Sequence, residues 1–173
     1  MVFDNKSEIK RFLIQTETET NELIYFNWLR LEVGTTHGFT NRFHFYALSK
    51  NTFNLVINTL LLENVDGIIF IADSQSEQMN ANLNSLNQLK SNIKQLSNNL
   101  NDIPLVMQFN KRDLQNISSV ETMKSLLGFN DFPFYEAMAN KGEGIDATLK
   151  SITLKIMMSR KRVFRSVKVS CSV

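Results

Sequence analysis

Hydrophobic residues recur along this chain in two rhythms. Phe39 to Leu48 alternates strictly: Phe39, Phe43, Phe45 and Ala47 share one face, and Thr40, Arg42, His44 and Tyr46 the other. A period of two predicts a strand. Leu23-Ile24-Tyr25-Phe26-Asn27-Trp28-Leu29, rich in β-branched and aromatic residues, predicts a strand before it. Thr35, Thr36, His37 and Gly38 form a short turn, so these two strands pair antiparallel. Gly67 to Ala72 is a continuous apolar run of the kind found in buried parallel strands, and Asp73, Ser74 and Gln75 then leave the sheet. Leu105 to Phe109 and Phe132 to Glu136 supply two further strands.

Between the strands the rhythm lengthens to three or four residues. Phe53, Val56, Ile57, Leu60 and Leu61 mark a helical stripe from Phe53 to Glu63. Leu83, Leu86, Leu89, Ile93, Leu96 and Leu100 mark a longer one. Strands flank it on both sides, which favours a helix packed on a sheet over a coiled-coil seam. Val120 to Leu127 is a short helix stopped by Gly128. Ile145 to Met158 is a last helix, with Ile145, Leu149, Ile152 and Ile156 on one face. Strands alternating with helices predict an α/β sandwich with a mainly parallel sheet. Met1 to Lys10 is polar and carries no clear signal.

Composition narrows the class without naming a function. The chain has 173 residues, enough for one domain with a real core. A net charge of +2 is too small to argue for nucleic acid. Basic residues gather late, at Arg160, Lys161, Arg162, Arg165 and Lys168, as a solvated helix end or a patch for an acidic surface. A single cysteine, Cys171, excludes a disulfide framework and a thiolate metal site, and fits a reducing cytosol. It stands third from the end and does not match a prenylation box. The sequence has no apolar run long enough to cross a membrane, and its first residues lack the apolar core of a signal peptide. A cytoplasmic protein is expected.

Candidate chemistry is concentrated in Asn110-Lys111-Arg112-Asp113, directly after the strand ending at Phe109. By itself a polar run after a strand is a loop. An N-K-x-D tetrapeptide at that position resembles the guanine-reading loop of Ras-like G domains. An aspartate carboxylate can accept two hydrogen bonds at once, from the ring N–H and the exocyclic amine of guanine, and adenine offers no such donor pair. Charge-assisted bonds of this kind contribute roughly 1.5–3 kcal/mol each. His37 and His44 are too few for a metal claim, and Glu17, Glu19 and Glu22 read as exposed charge.

Longer stretches extend the resemblance. Thr18-Glu19-Thr20, Gly38-Phe39-Thr40-Asn41-Arg42-Phe43-His44-Phe45-Tyr46, Val65 to Gln75 and Pro104 to Leu114 are similar to the Mgl-type bacterial small GTPases of the Ras superfamily. Glu136-Ala137-Met138-Ala139 and Gly142-Glu143-Gly144 continue it, so that it covers about Phe12 to Met158. Members of that family control cell polarity and gliding or twitching motility. The resemblance implies a Ras-like three-layer sandwich. It makes Asn110, Lys111 and Asp113 the guanine motif, with the backbone N–H of Ala139 offered to the guanine carbonyl oxygen. It places Thr18 to Thr20 in the first switch, where the family meets nucleotide and Mg²⁺. It also implies a roadblock-fold, MglB-like protein partner.

Two departures stand against these matches. The family begins with a strand and a phosphate-binding loop, G-x-x-x-x-G-K-[ST]. None of Gly34, Gly38, Gly67, Gly128, Gly142 and Gly144 takes that spacing. That loop's N–H groups and lysine neutralise phosphates, and its hydroxyl binds Mg²⁺. Where the family has a T-V-P-G-Q turn, this chain has Ala47-Leu48-Ser49-Lys50-Asn51. A lysine replaces the glycine that senses the γ-phosphate, and an asparagine replaces the water-positioning glutamine. On this reading residues 1–160 form a truncated Ras-like G domain and 161–173 a basic, strand-like tail. No catalytic residue and no metal ligand can be assigned, and guanine nucleotide is expected to bind weakly or not at all.

A missing central strand also leaves a folding deficit. About four large apolar side chains amount to on the order of 6–12 kcal/mol of burial, comparable to the stability of a whole domain. The tail offers a substitute. Val163, Arg165, Val167, Val169, Cys171 and Val173 alternate with Phe164, Ser166, Lys168, Ser170 and Ser172. Either this segment inserts in parallel into the vacancy, or it is a frayed end.

Three functions follow from the sequence. One is a degenerate G domain acting as a non-catalytic partner-binding module in polarity or motility. Another is a GTP-hydrolysing GTPase whose phosphate-binding segment is missing from this chain, through a misplaced start or a split gene. The third is guanine-nucleotide sensing through Asp113 without hydrolysis.

Overall fold

The computed structural model describes residues 8–15, 23–36, 39–48, 61–63, 65–96, 99–128, 130–159 and 167–172. In chain order the elements are β1 (Glu8–Gln15), β2 (Leu23–Thr36), β3 (Phe39–Leu48), β4 (Gly67–Asp73), α1 (Met79–Gln95), β5 (Leu105–Asn110), α2 (Val120–Leu127), β6 (Phe134–Glu136), α3 (Ile145–Ser159) and β7 (Val167–Ser172). They build one sheet in the order β1-β2-β3-β7-β4-β5-β6. β1 and β2 pair antiparallel, as do β2 and β3; every pairing from β3 onward is parallel.

Helices cover both faces, as the unbroken burial of β4 and β5 requires. Ile68, Phe70 and Ala72 of β4 and Leu105, Met107 and Phe109 of β5 pack with Leu86, Leu89 and Ile93 of α1 and Met123 and Leu127 of α2. On the other face Ile69 and Val106 meet Ile152 and Ile156 of α3, together with Phe43 and Phe45. This is the three-layer α/β arrangement expected. Phe43 and Phe45 are buried and Arg42 is exposed, as the alternation of β3 predicts.

Val167 to Ser172 of the tail lie inside the sheet. Val169 of β7 pairs with Phe45 of β3 on one side and with Gly67 of β4 on the other. Both pairings are parallel, so the inserted arrangement is the one observed. The C-terminal ends of β3, β7, β4, β5 and β6 therefore gather along one edge of the sheet.

Several boundaries differ from expectation. β1 occupies a stretch that begins within the polar N-terminal segment. Its residues from Glu8 to Gln15 take ladder positions against β2, from Arg30 back to Leu23, and tertiary pairing supplies what local pattern lacked. β2 continues to Thr36, past the expected end at Leu29, because the β3 ladder continues with a register shift between Glu32 and Thr35. Leu100 belongs to a separate 3₁₀ turn, Leu100–Asp102, and not to α1. The buried side of α3 carries Thr148 and Thr153 beside Ile152 and Ile156, with Ile145 only half-buried. α2 begins and ends as predicted: the Ser119 hydroxyl accepts a bond from the Thr122 N–H, and Gly128 takes the left-handed conformation at φ 68°. The helical stripe from Phe53 lies outside the described residues except at Leu61 to Glu63, as does most of the basic cluster.

Candidate guanine-binding edge

Parallel register decides which side chains meet at the C-terminal edge. Asp73 at the end of β4 stands beside Asn110 at the end of β5, and Phe109 stands beside Glu136 at the end of β6. Pairing then continues into the loops. The Ser74 N–H donates to the Asn110 carbonyl at 3.0 Å, and the Ala137 N–H to the Phe109 carbonyl at 2.8 Å. The Arg112 N–H donates to the Ala137 carbonyl at 3.1 Å. Crevices outside the carboxyl ends of parallel strands are where open α/β sheets bind ligands.

Lys111 makes the turn out of the sheet with φ at 62°, a left-handed conformation that non-glycine residues rarely adopt. Its side chain is held by an acid. Lys111 Nζ lies 2.7 Å from Asp73 Oδ2, while Asp73 Oδ1 accepts the Gln75 N–H at 3.0 Å. Behind them Asn82, buried on the first turns of α1, clamps the Asp73 backbone. Its Oδ1 accepts the Asp73 N–H at 3.1 Å and its Nδ2 donates to the Asp73 carbonyl at 2.8 Å. Arg112 ties the loops on the other side. Its Nε pairs with Glu136 Oε2 at 2.7 Å and its Nη1 donates to the Ser118 carbonyl at 2.7 Å.

The second loop approaches Asn110 and Asp113 through Ala139 and Asn140. Asn110 Oδ1 accepts the Ala139 N–H at 3.1 Å. The resemblance assigned this N–H to the guanine carbonyl oxygen; here the Asn110 side chain is its acceptor. Asn140 Nδ2 donates to Asp113 Oδ2 at 2.8 Å. That bond, with a backbone bond at Asp113 itself and the nearby Lys141 charge, pulls the Asp113 carboxyl below its ordinary value. The group therefore stands ionised at neutral pH, as an acceptor for two donors must.

All four sequence-assigned positions, Asn110, Lys111, Asp113 and Ala139, thus fall on two adjacent loops. Asp73, Asn82, Glu136 and Asn140 join them, and so does Arg112, the variable position of the motif. None of those five had been given a role from sequence. Asp73, Arg112 and Glu136 lay within the stretches that carried the resemblance, and Asn82 and Asn140 did not. The first-switch residues Thr18 to Thr20, and Lys50 and Asn51, lie outside the described residues. Among the described residues no group of three or more His, Cys, Asp or Glu side chains is placed to hold a metal ion. No helix there is long and apolar enough to cross a membrane.

The chain is 40% identical over 156 residues to the mutual gliding-motility protein MglA of Myxococcus xanthus (strain DK1622). That match takes in 90% of this chain and 80% of the relative. The chain belongs to the MglA-like small GTPases. No protein-family model matches it. In this structure the Ala139 N–H is taken by Asn110 and one Asp113 oxygen by Asn140.

Proposed function

We propose that this MglA-like chain reads guanine through Asp113 and works by docking a protein partner, without turning nucleotide over. The observation that carries the reading is the pair of cross-braced loops at the sheet edge. Lys111 is fixed by Asp73, Asn110 by the Ala139 N–H, and Arg112 by Glu136, so the base-reading carboxylate stands on a built frame.

Nothing comparable in the sequence serves the phosphates. No G-x-x-x-x-G-K-[ST] occurs in it, and Lys50 and Asn51 stand at the switch turn. Phosphoryl transfer needs a held γ-phosphate, Mg²⁺ and an oriented water. A base contact alone contributes about 4–6 kcal/mol, a dissociation constant between roughly 1 mM and several tens of micromolar. The partner best suited to the surviving surface is a roadblock-fold, MglB-like protein, in polarity or motility-type regulation.

One observation favours a second reading. A fifth of the relative's length lies outside the match, since 80% of it is covered. A phosphate-binding segment encoded elsewhere would make this the larger part of a GTP-hydrolysing enzyme. Calorimetry with GDP and with guanosine, each with and without Mg²⁺, separates the two. Equal, weak and Mg²⁺-independent affinities that vanish in Asp113→Ala support the docking module. Tight, Mg²⁺-linked retention of GTP by this chain alone would overturn it.

A further inference from the structure

Asn140 was given no role by the sequence, yet its side chain donates a hydrogen bond to the carboxylate assigned to the base. The acceptor is an ionised Asp113, which has no proton to give, so the atom facing Oδ2 at 2.8 Å is the amide nitrogen of Asn140. A planar sp² N–H donor on one oxygen of this carboxylate is the same chemistry that the exocyclic amine of guanine would bring. We propose that Asn140 is an internal mimic of the guanine amine, and that guanine must displace it from Asp113 in order to bind. This rests on the assignment of Asp113 as the base-reading residue.

The geometry makes Asn140 suited to such a part. Its backbone is held in a 3₁₀ turn, Ala139–Lys141, closed by a bond from the Lys141 N–H to the Met138 carbonyl at 2.9 Å. Met138 and Glu143 exchange N–H donors across the base of the turn, at 3.0 and 3.2 Å. The loop is fixed while the side chain, exposed at the surface, is free to rotate off and release the carboxylate. Asp113 is held to Asn140 by one contact, so release removes one bond and leaves the frame of Asp73, Lys111 and Arg112 in place.

The consequence is selective among purines. Guanosine brings two donors and needs both carboxylate oxygens. Inosine has the same carbonyl and ring N–H but no exocyclic amine, so it can use Oδ1 and leave Asn140 on Oδ2. Asn140 therefore competes with guanosine and not with inosine, and narrows the preference between them.

Calorimetric titration of wild type, Asn140→Ala and Asp113→Ala with guanosine and with inosine tests this. Asn140→Ala is expected to tighten guanosine binding roughly threefold to tenfold, the net weight of one solvent-exposed hydrogen bond released from competition, while inosine binding stays within about twofold. Guanosine binding that appears only in the variant supports the proposal equally. If wild type binds guanosine and loses it in Asp113→Ala, but Asn140→Ala binds it no better or more weakly, Asn140 orients the carboxylate and the mimic is wrong while the base site stands. If neither wild type nor Asn140→Ala binds guanosine, the base site fails and the mimic with it. A second readout needs no ligand: the Asp113 carboxyl, followed by NMR, should titrate at higher pH in Asn140→Ala, and an unchanged midpoint overturns the contact itself.

Discussion

Asp73 and Lys111 lie 38 positions apart in sequence and meet at 2.7 Å where β4 and β5 end. Lys111 is half exposed, at 50% of its side-chain surface, against 16% for Asp73. An ion pair with one partner that open to water contributes little to stability. Its importance is geometric: it fixes the lysine stem that, in an MglA-like domain, is expected to lie along the base.

Asp73→Asn should therefore change the free energy of unfolding by less than about 1 kcal/mol. Asn82→Ala should cost about 1–3 kcal/mol, because it strips two partners from the backbone of Asp73 inside the protein. Urea midpoints measure both. Equal losses would show that the Asp73 carboxylate carries structural weight that its exposure does not predict.

The difference between these two residues also marks how far the sequence could be read. Apolar patterning located β3 by alternation, β4 and β5 by continuous runs that are buried on both faces, and α2 and α3 by helical spacing. The strand-like tail was visible for the same reason, in the alternation from Val163 to Val173. β1 was not, since its pairing with β2 is set by tertiary contact and its first residues are polar. Asn110, Lys111, Asp113 and Ala139 stood out through a short contiguous motif and its family pattern, and they lie on two adjacent loops. Asn82 and Asn140 did not, because each acts through polar contact with a single residue, 9 or 27 positions away, and such a pairing leaves no periodic trace.

Gly144 limits how the Ala139 loop can be remodelled. It takes φ at 79°, and a Cβ there would run into the Glu136 carbonyl oxygen and stand 2.8 Å from Ala137 Cα, both backbone atoms that cannot step aside. Gly142, at φ 75°, faces open space. Gly142→Ala should thus cost only the left-handed backbone penalty of roughly 1–2 kcal/mol. Gly144→Ala should add a steric overlap and cost more than about 3 kcal/mol in all. Thermal unfolding of the two variants side by side checks the ordering, and equal losses would contradict the close approach.

Acid should act on the Asp113 carboxylate, proposed above to read the base, in a defined direction. The Asn140 bond, with the Asp113 backbone bond and Lys141, depresses the folded value of Asp113 below 3.8. A depressed carboxyl contributes stability that is present above its unfolded value and is lost as pH falls through the lower folded value. Between those two values the folded chain keeps Asp113 ionised and able to accept from guanine. Below the folded value the carboxyl gains a proton and guanosine binding should disappear. NMR titration of the carboxyl gives the midpoint directly, and one at or above 3.8 would show that the Asn140 contact does not form in solution.

β7 makes the strongest demand on the fold. It has a parallel neighbour on each side, β3 through the register from Phe43↔Val167 to Leu48↔Ser172 and β4 from Gly67↔Val169 to Phe70↔Ser172. A strand paired on both edges opens only when the sheet does, so amides from Val167 to Cys171 should exchange with the free energy of global unfolding. Proline at Val169 removes an N–H from the middle of the sheet and should cost on the order of 3 kcal/mol or more. Its position opposite both Phe45 and Gly67 means that the damage spreads to β3 and β4, which have only β7 between them. Fast exchange along β7, or a Val169→Pro variant as stable as wild type, would remove the tail from the sheet and leave β3 and β4 without a shared neighbour. Slow exchange there would show that the segment from Val167 to Cys171 supplies the central strand on which the guanine-reading edge is built.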